Sequence, residues 1–186
     1  MKFKYIFLSL LFLGLTNCET DVENPNDVYP RPFVEVDSGD ADFSTYVAMG
    51  EGITAGMTDN SLFIAGQANS YPNIMAGVMS MAGGGEFTQP YVNDNVGGML
   101  VGGQQFWFPR LYFDGAGPAN VTGNITTEAT STVPGPYNNM AFPFVNGIHM
   151  VAPGYGSIAG LSQGLANPWF VRAASSDGAT VLGDAA

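Results

Sequence analysis

Apolar positions along this chain fall in short runs broken by glycine, proline and asparagine, a pattern that predicts brief strands and helices joined by long loops. The run Tyr46–Met49 reads as a buried strand, and it leads straight into a turn carrying Gly50, Gly52 and Gly56. Residues 57–69 are polar and glycine-containing, so a loop is expected there. Ser70 is placed to cap a helix with Pro72 in its first turn and Ile74, Met75, Val78, Met79 and Ala82 on one face, stopped by Gly83–Gly85. Core packing is the reading for Met75, Met79 and Met81, with a lipid-lining role as the alternative.

Residues 86–103 are rich in glycine and asparagine and predict mostly loop. Within them, Asn93-Asp94-Asn95 reads as a turn held by its own side chains rather than as cation ligands. Phe106-Trp107-Phe108 and Leu111-Tyr112-Phe113 flank Pro109-Arg110 and predict an extended, buried segment in which the proline excludes a central strand. Asn120 to Thr132 reads as an exposed loop. Asn167-Pro168 starts a helix through Trp169, Phe170 and Val171, and Asp177-Gly178 forms a turn.

The first seventeen residues form an export signal: Lys2 and Lys4, then an apolar stretch from Tyr5 to Leu15 too short to span a membrane, then Asn17-Cys18. Cys18 is the only cysteine, so it makes no internal disulfide. Its position suits the lipid-bearing residue of a bacterial lipoprotein, with ordinary secretion as the alternative. The chain has a net charge of −11. Removal of residues 1–17 leaves three arginines facing all sixteen acids, a surface that repels nucleic acid. Residues 18–42, acidic and proline-containing, read as a tether holding a domain of residues 43–186 off a membrane. The cluster Asp37-Ser38-Gly39-Asp40-Ala41-Asp42 reads as solvated linker rather than a calcium site.

Val47-Ala48-Met49-Gly50-Glu51-Gly52-Ile53-Thr54-Ala55-Gly56 resembles the first block of SGNH/GDSL-type ester hydrolases, in the lipoprotein branch typical of Bacteroidetes. The likeness continues in Gly66–Ile74, Gly83–Phe87, Asp94–Gly98, Pro136–Asn139, Ala152–Gly156 and Ala166–Pro168. It implies an α/β fold, the SGNH-type three-layer sandwich, present as its N-terminal part only and interrupted by long Gly/Asn-rich loops. The resemblance also implies lipase/esterase ancestry, an acyl-ester or glycan ligand, and a lipid-anchored place at the outer membrane or cell surface through Cys18. No cofactor, metal or nucleic-acid partner is expected.

The resemblance puts Gly52 at the nucleophile position, where a side chain is required for attack. It puts Phe144 where an oxyanion-hole glycine is expected. His149 is the only histidine. Asn146-Gly147-Ile148-His149 copies the spacing of the family's terminal Asp-x-x-His, but Asn146 carries no charge to support an imidazolium, so a structural histidine is the expectation. Thr54 and Ser70, the nearest hydroxyls, are explained by the turn and the cap. The family's later Gly-x-Asn-Asp and Asp-x-x-His blocks are absent. The sequence therefore predicts an inactive member of an ester-hydrolase family, either the front of a longer protein or a decayed remnant, with a non-catalytic surface lipoprotein binding lipid or glycan as the alternative.

Overall fold

The computed structural model describes residues 36–185, so the signal segment, Cys18 and the tether up to residue 35 lie outside the described residues. The described part forms one compact unit beginning at Val36. Its class is mixed α/β, built from small sheets and few helices. In chain order come β1 (Ala48–Gly50), α1 (Gly52–Ala55), α2 (Ile64–Ala68), α3 (Tyr71–Ser80), β2 (Met99–Val101), β3 (Gln104–Trp107), β4 (Leu111–Phe113), β5 (Pro118–Asn120) and β6 (Asn139–Ala141). A 3-10 turn at His149–Val151 is followed by α4 (Ile158–Leu161) and α5 (Pro168–Ala173).

Among the described residues there are three two-stranded sheets. β1 and β6 run parallel, with Ala48 opposite Asn139, Met49 opposite Met140 and Gly50 opposite Ala141. β2–β3 and β4–β5 are antiparallel hairpins. A parallel pair needs burial on both faces, and all of β6 is buried. The core gathers Met140, Phe142, Phe170, Met99, Val171 and Val181, each at most 2% exposed. Burying each such side chain contributes about 1.5–3 kcal/mol.

Several sequence expectations need correction. α2 lies inside residues 57–69, expected to be loop: the Phe63 backbone is extended, and Asp94 and Asn95 accept from Ile64 N–H and Ala65 N–H. Long-range acceptors that no local pattern reveals start this helix. α3 begins where expected, but Ser70 makes no side-chain cap. Its contact face is carried by Pro72 and Ala76, while Ile74, Met75, Val78 and Met81 are exposed, against the core role expected for Met75 and Met81; Met79 is half-buried.

Phe106, Phe108, Tyr112 and Phe113 are likewise exposed, whereas Trp107 turns inward and donates from Nε1 to Asn60 O at 2.7 Å. The loop 120–132 is not wholly exposed. Thr127 and Ala129 are fully buried and exchange backbone bonds with Leu100, which makes the segment a short parallel rail along β2. The tripeptide 93–95 behaves as expected: Asp94 accepts from Val96 and Gly97 N–H through one oxygen and from Thr126 through the other. In the acidic stretch, Asp37 and Asp42 each accept a nearby backbone N–H. Among the described residues no group of three or more metal-ligating side chains converges.

Candidate functional site

β1 and β6, parallel and in contact, deliver two turns to the same edge, beyond Gly50 and beyond Ala141. In an open α/β arrangement that carboxyl edge is where ligands are received. The first turn passes through Glu51, extended and without a side-chain cap bond, into the single helical turn of α1. Gly50 has no room for a side chain, since an added Cβ would lie 2.8 Å from Thr54 Cβ. α1 ends at Gly56, whose φ of +86° is left-handed. There a Cβ would meet Gly66 O at 2.6 Å, and a Cβ at Gly66 would meet Gly56 O at the same distance. Two glycines thus press backbone against backbone and fix the exit of the turn.

Gly52 differs from these. It is buried, lies in α1, and an added Cβ would sit 3.2 Å from Met57 Sδ, the end of a flexible side chain. A Cβ here would need Met57 to give by only a few tenths of an ångström. Among the described residues no hydroxyl takes the place of the one that Gly52 lacks. Thr54 Oγ1 pairs with Tyr71 Oη at 3.0 Å, and Ser70 Oγ is buried without a partner.

The second turn runs Phe142-Pro143-Phe144-Val145 and is closed by Val145 N–H donating to Phe142 O. Pro143 at its second position and a positive φ at its third give the pattern of a type II turn, which demands glycine or asparagine at that third position. Phe144 stands there with φ +65°. Its half-exposed ring packs on Trp107 and Trp169, with centroids 4.9 and 5.7 Å away. Asn167 holds the turn from outside: Nδ2 donates to Pro143 O at 2.8 Å, while Oδ1 caps α5 by accepting from Trp169 and Phe170 N–H.

Between the turns, Asn138 and Asn139 act as struts. Asn139 Nδ2 reaches Thr54 O and Gln89 Oε1, both at 3.2 Å. Asn138 joins Tyr46 O to the Thr88 segment. Sequence reasoning marked these asparagines only as shared words and gave them no task; amides amid apolar strand residues were the available signal.

His149 stacks on Tyr155 at 4.6 Å, and its Nδ1 faces Tyr155 Oη at 3.1 Å. Asn146 reaches the ring through its backbone N–H, at 3.4 Å, not through its side chain. Among the described residues no hydrogen bond links His149 to the Gly52 turn, so the two are not joined as base and nucleophile. Cys18 is outside the described residues. Beside α1 lies an open recess of about 510 Å³ lined by Ile53, Met57, Phe63 and Tyr71, with Asn69 and Ser70 at its polar side.

Comparisons of the chain with protein-family models, curated proteins and solved structures give no match.

Proposed function

We propose that residues 43–186 are a catalytically silent SGNH-type ester-hydrolase scaffold, the N-terminal part of that three-layer sandwich, carried on a lipid anchor at Cys18 at the outer membrane or cell surface. The observation that carries this reading is Phe144. The resemblance asks for glycine there, and the backbone there is left-handed, the conformation glycine adopts without strain. β1 and β6 run parallel, so the turns that follow them, likened by the resemblance to the family's first and second blocks, share one edge, which supports the same reading.

Hydrolysis by this route needs a hydroxyl, a base to take its proton and donors aimed at the oxyanion. Residue 52 offers no oxygen, His149 has no hydrogen-bonded path to it, and an aromatic side chain occupies the position of the oxyanion glycine. The test is hydrolysis of a short-chain p-nitrophenyl ester by the chain and by Gly52→Ser. Neither should turn over above background. Turnover by the unaltered chain, blocked by a serine-reactive inhibitor, would sink the proposal, and turnover by Gly52→Ser alone would show that a base is present after all.

The recess beside α1 favours a second reading, binding without chemistry. Its walls are mainly apolar and suit an acyl chain better than a glycan. Ile53→Asp, at an exposed wall residue, should abolish retention of a fluorescent fatty acid without unfolding the chain.

A further inference from the structure

Arg172 is a buried cation, 4% exposed, held on neutral acceptors: Nη1 donates to Tyr91 O at 2.8 Å and Nη2 to Asn93 Oδ1 at 2.7 Å. Its third donor, Nε–H, is buried and unpaired. One helical turn earlier, Trp169 is 5% exposed and its Nε1–H is also buried and unpaired. Residues three apart on a helix share a face, and both line one small cavity of about 10 Å³ against Gln67, Met99, Ala141 and Phe142. That is the size of a site for a single small occupant, since roughly 10–15 Å³ suffices for one water-sized particle.

The chemistry of the wall selects the occupant. A buried donor without an acceptor is unfavourable, and two residues carrying such donors line this one cavity, which calls for something that accepts twice. A water would also need acceptors for its own hydrogens. Gln67 is the one oxygen-bearing side chain on this wall; its Oε1 already accepts from Val92 N–H and its Nε2 donates to Pro90 O. Among the described residues the buried guanidinium donates only to neutral acceptors, which further favours a negative charge beside it, because desolvation is repaid only by pairing.

We propose that this cavity binds one monoatomic anion, chloride, bridged by Trp169 Nε1–H and Arg172 Nε–H. The anion neutralises the buried guanidinium and fastens α5, whose cap Asn167 holds the Phe144 turn. The site is separate from the Gly52 edge and does not depend on ester-hydrolase ancestry.

The test is thermal unfolding of the full chain at constant ionic strength, with sodium chloride exchanged for sodium gluconate. Tm should rise saturably with chloride, by roughly 3–6 °C once chloride exceeds its Kd about tenfold. Trp169→Phe keeps an aromatic ring and removes the donor, so whatever its own Tm, its chloride-dependent increment should fall below about half that of the parent. Crystals grown in bromide should show an anomalous scatterer between the two nitrogens. Equal Tm in the two salts, an increment unchanged by Trp169→Phe, or a water that bromide does not replace would each overturn the assignment.

Discussion

The turn after β1 carries glycine at residue 52, where the backbone is helical and a side chain would fit; the turn after β6 carries phenylalanine at residue 144, where the backbone is left-handed. Each has the residue type that the geometry of the other would favour. The difference teaches where the shape of this edge comes from. At the first turn it is set by the close approach of Gly56 to Gly66 and by the side chain of Thr54 over Gly50. At the second it is set by Pro143, the Asn167 amide and the tilted packing of Phe144 against two tryptophans. The first is held by neighbours of residue 52, the second in part by residue 144 itself.

The comparison breaks most completely at Gly56. Gly56→Ala forces a side chain into the left-handed region, costing about 1–2 kcal/mol, and drives Cβ into the Gly66 backbone, an overpacking cost of about 1–3 kcal/mol. The expected loss is about 3 kcal/mol, read as a lowered midpoint in urea denaturation. A loss below about 1 kcal/mol would mean that the α1 and α2 segments part easily and do not define the first turn. Next comes Asn167→Ala at the second turn. It removes the cap of α5, worth about 1 kcal/mol, and leaves Pro143 O without its donor, adding roughly another 1 kcal/mol. Asn167→Asp separates the two: it keeps the cap and loses the donation, so it should recover about half of the deficit.

The sequence carried the local part of this architecture. The Asn167-Pro168 start of α5, the Pro72 entry into α3 and the Val96 and Gly97 bonds of the Asp94 turn rest on contacts within a few residues, which spacing and residue type report directly. What escaped was non-local. α2 is initiated by acceptors thirty residues away, and Thr127 and Ala129 are buried because Leu100 pairs with them. The apolar face of α3 was visible as a stripe, but a stripe does not say what covers it, and here Ile74, Met75, Val78 and Met81 remain exposed. Of the candidate site, Gly52 and Phe144 were legible through the resemblance. The left-handed backbone at Phe144 was not, because the type II pattern follows from turn closure, and Phe-Pro-Phe-Val alone does not announce glycine geometry. The unpaired donors of Trp169 and Arg172 left no sequence signal at all, since pairing is a property of the packed interior.

A smaller effect sharpens the second turn. Phe144→Ala and Phe144→Gly both delete the ring and its contacts with Trp107 and Trp169, so both should destabilise. They differ only in what they do to a left-handed residue. At an ordinary loop position alanine is the more stable of the two, because glycine gains more freedom in the unfolded chain. At φ +65° the order should reverse, with glycine ahead by about 1 kcal/mol. Alanine equal to or better than glycine would place the origin of the turn in the ring packing alone and remove the case for a glycine position here.

The smallest effect belongs to Gly52→Ser, measured as stability. The new Cβ meets Met57, its Sδ at 3.2 Å and its Cβ at 3.4 Å; rotation of the methionine relieves the first contact and the second is near ordinary van der Waals distance, while serine is a better helix residue than glycine by about 0.5 kcal/mol. These terms oppose, and the urea midpoint should shift by no more than about 0.5 kcal/mol equivalent. That near-neutrality is what makes the variant informative. Under the proposed reading a folded, undisturbed Gly52→Ser still hydrolyses no ester, because a hydroxyl at residue 52 supplies neither a base nor an oxyanion donor. A Gly52→Ser that unfolds would instead mean that the first turn has closed around glycine and tolerates no side chain at residue 52.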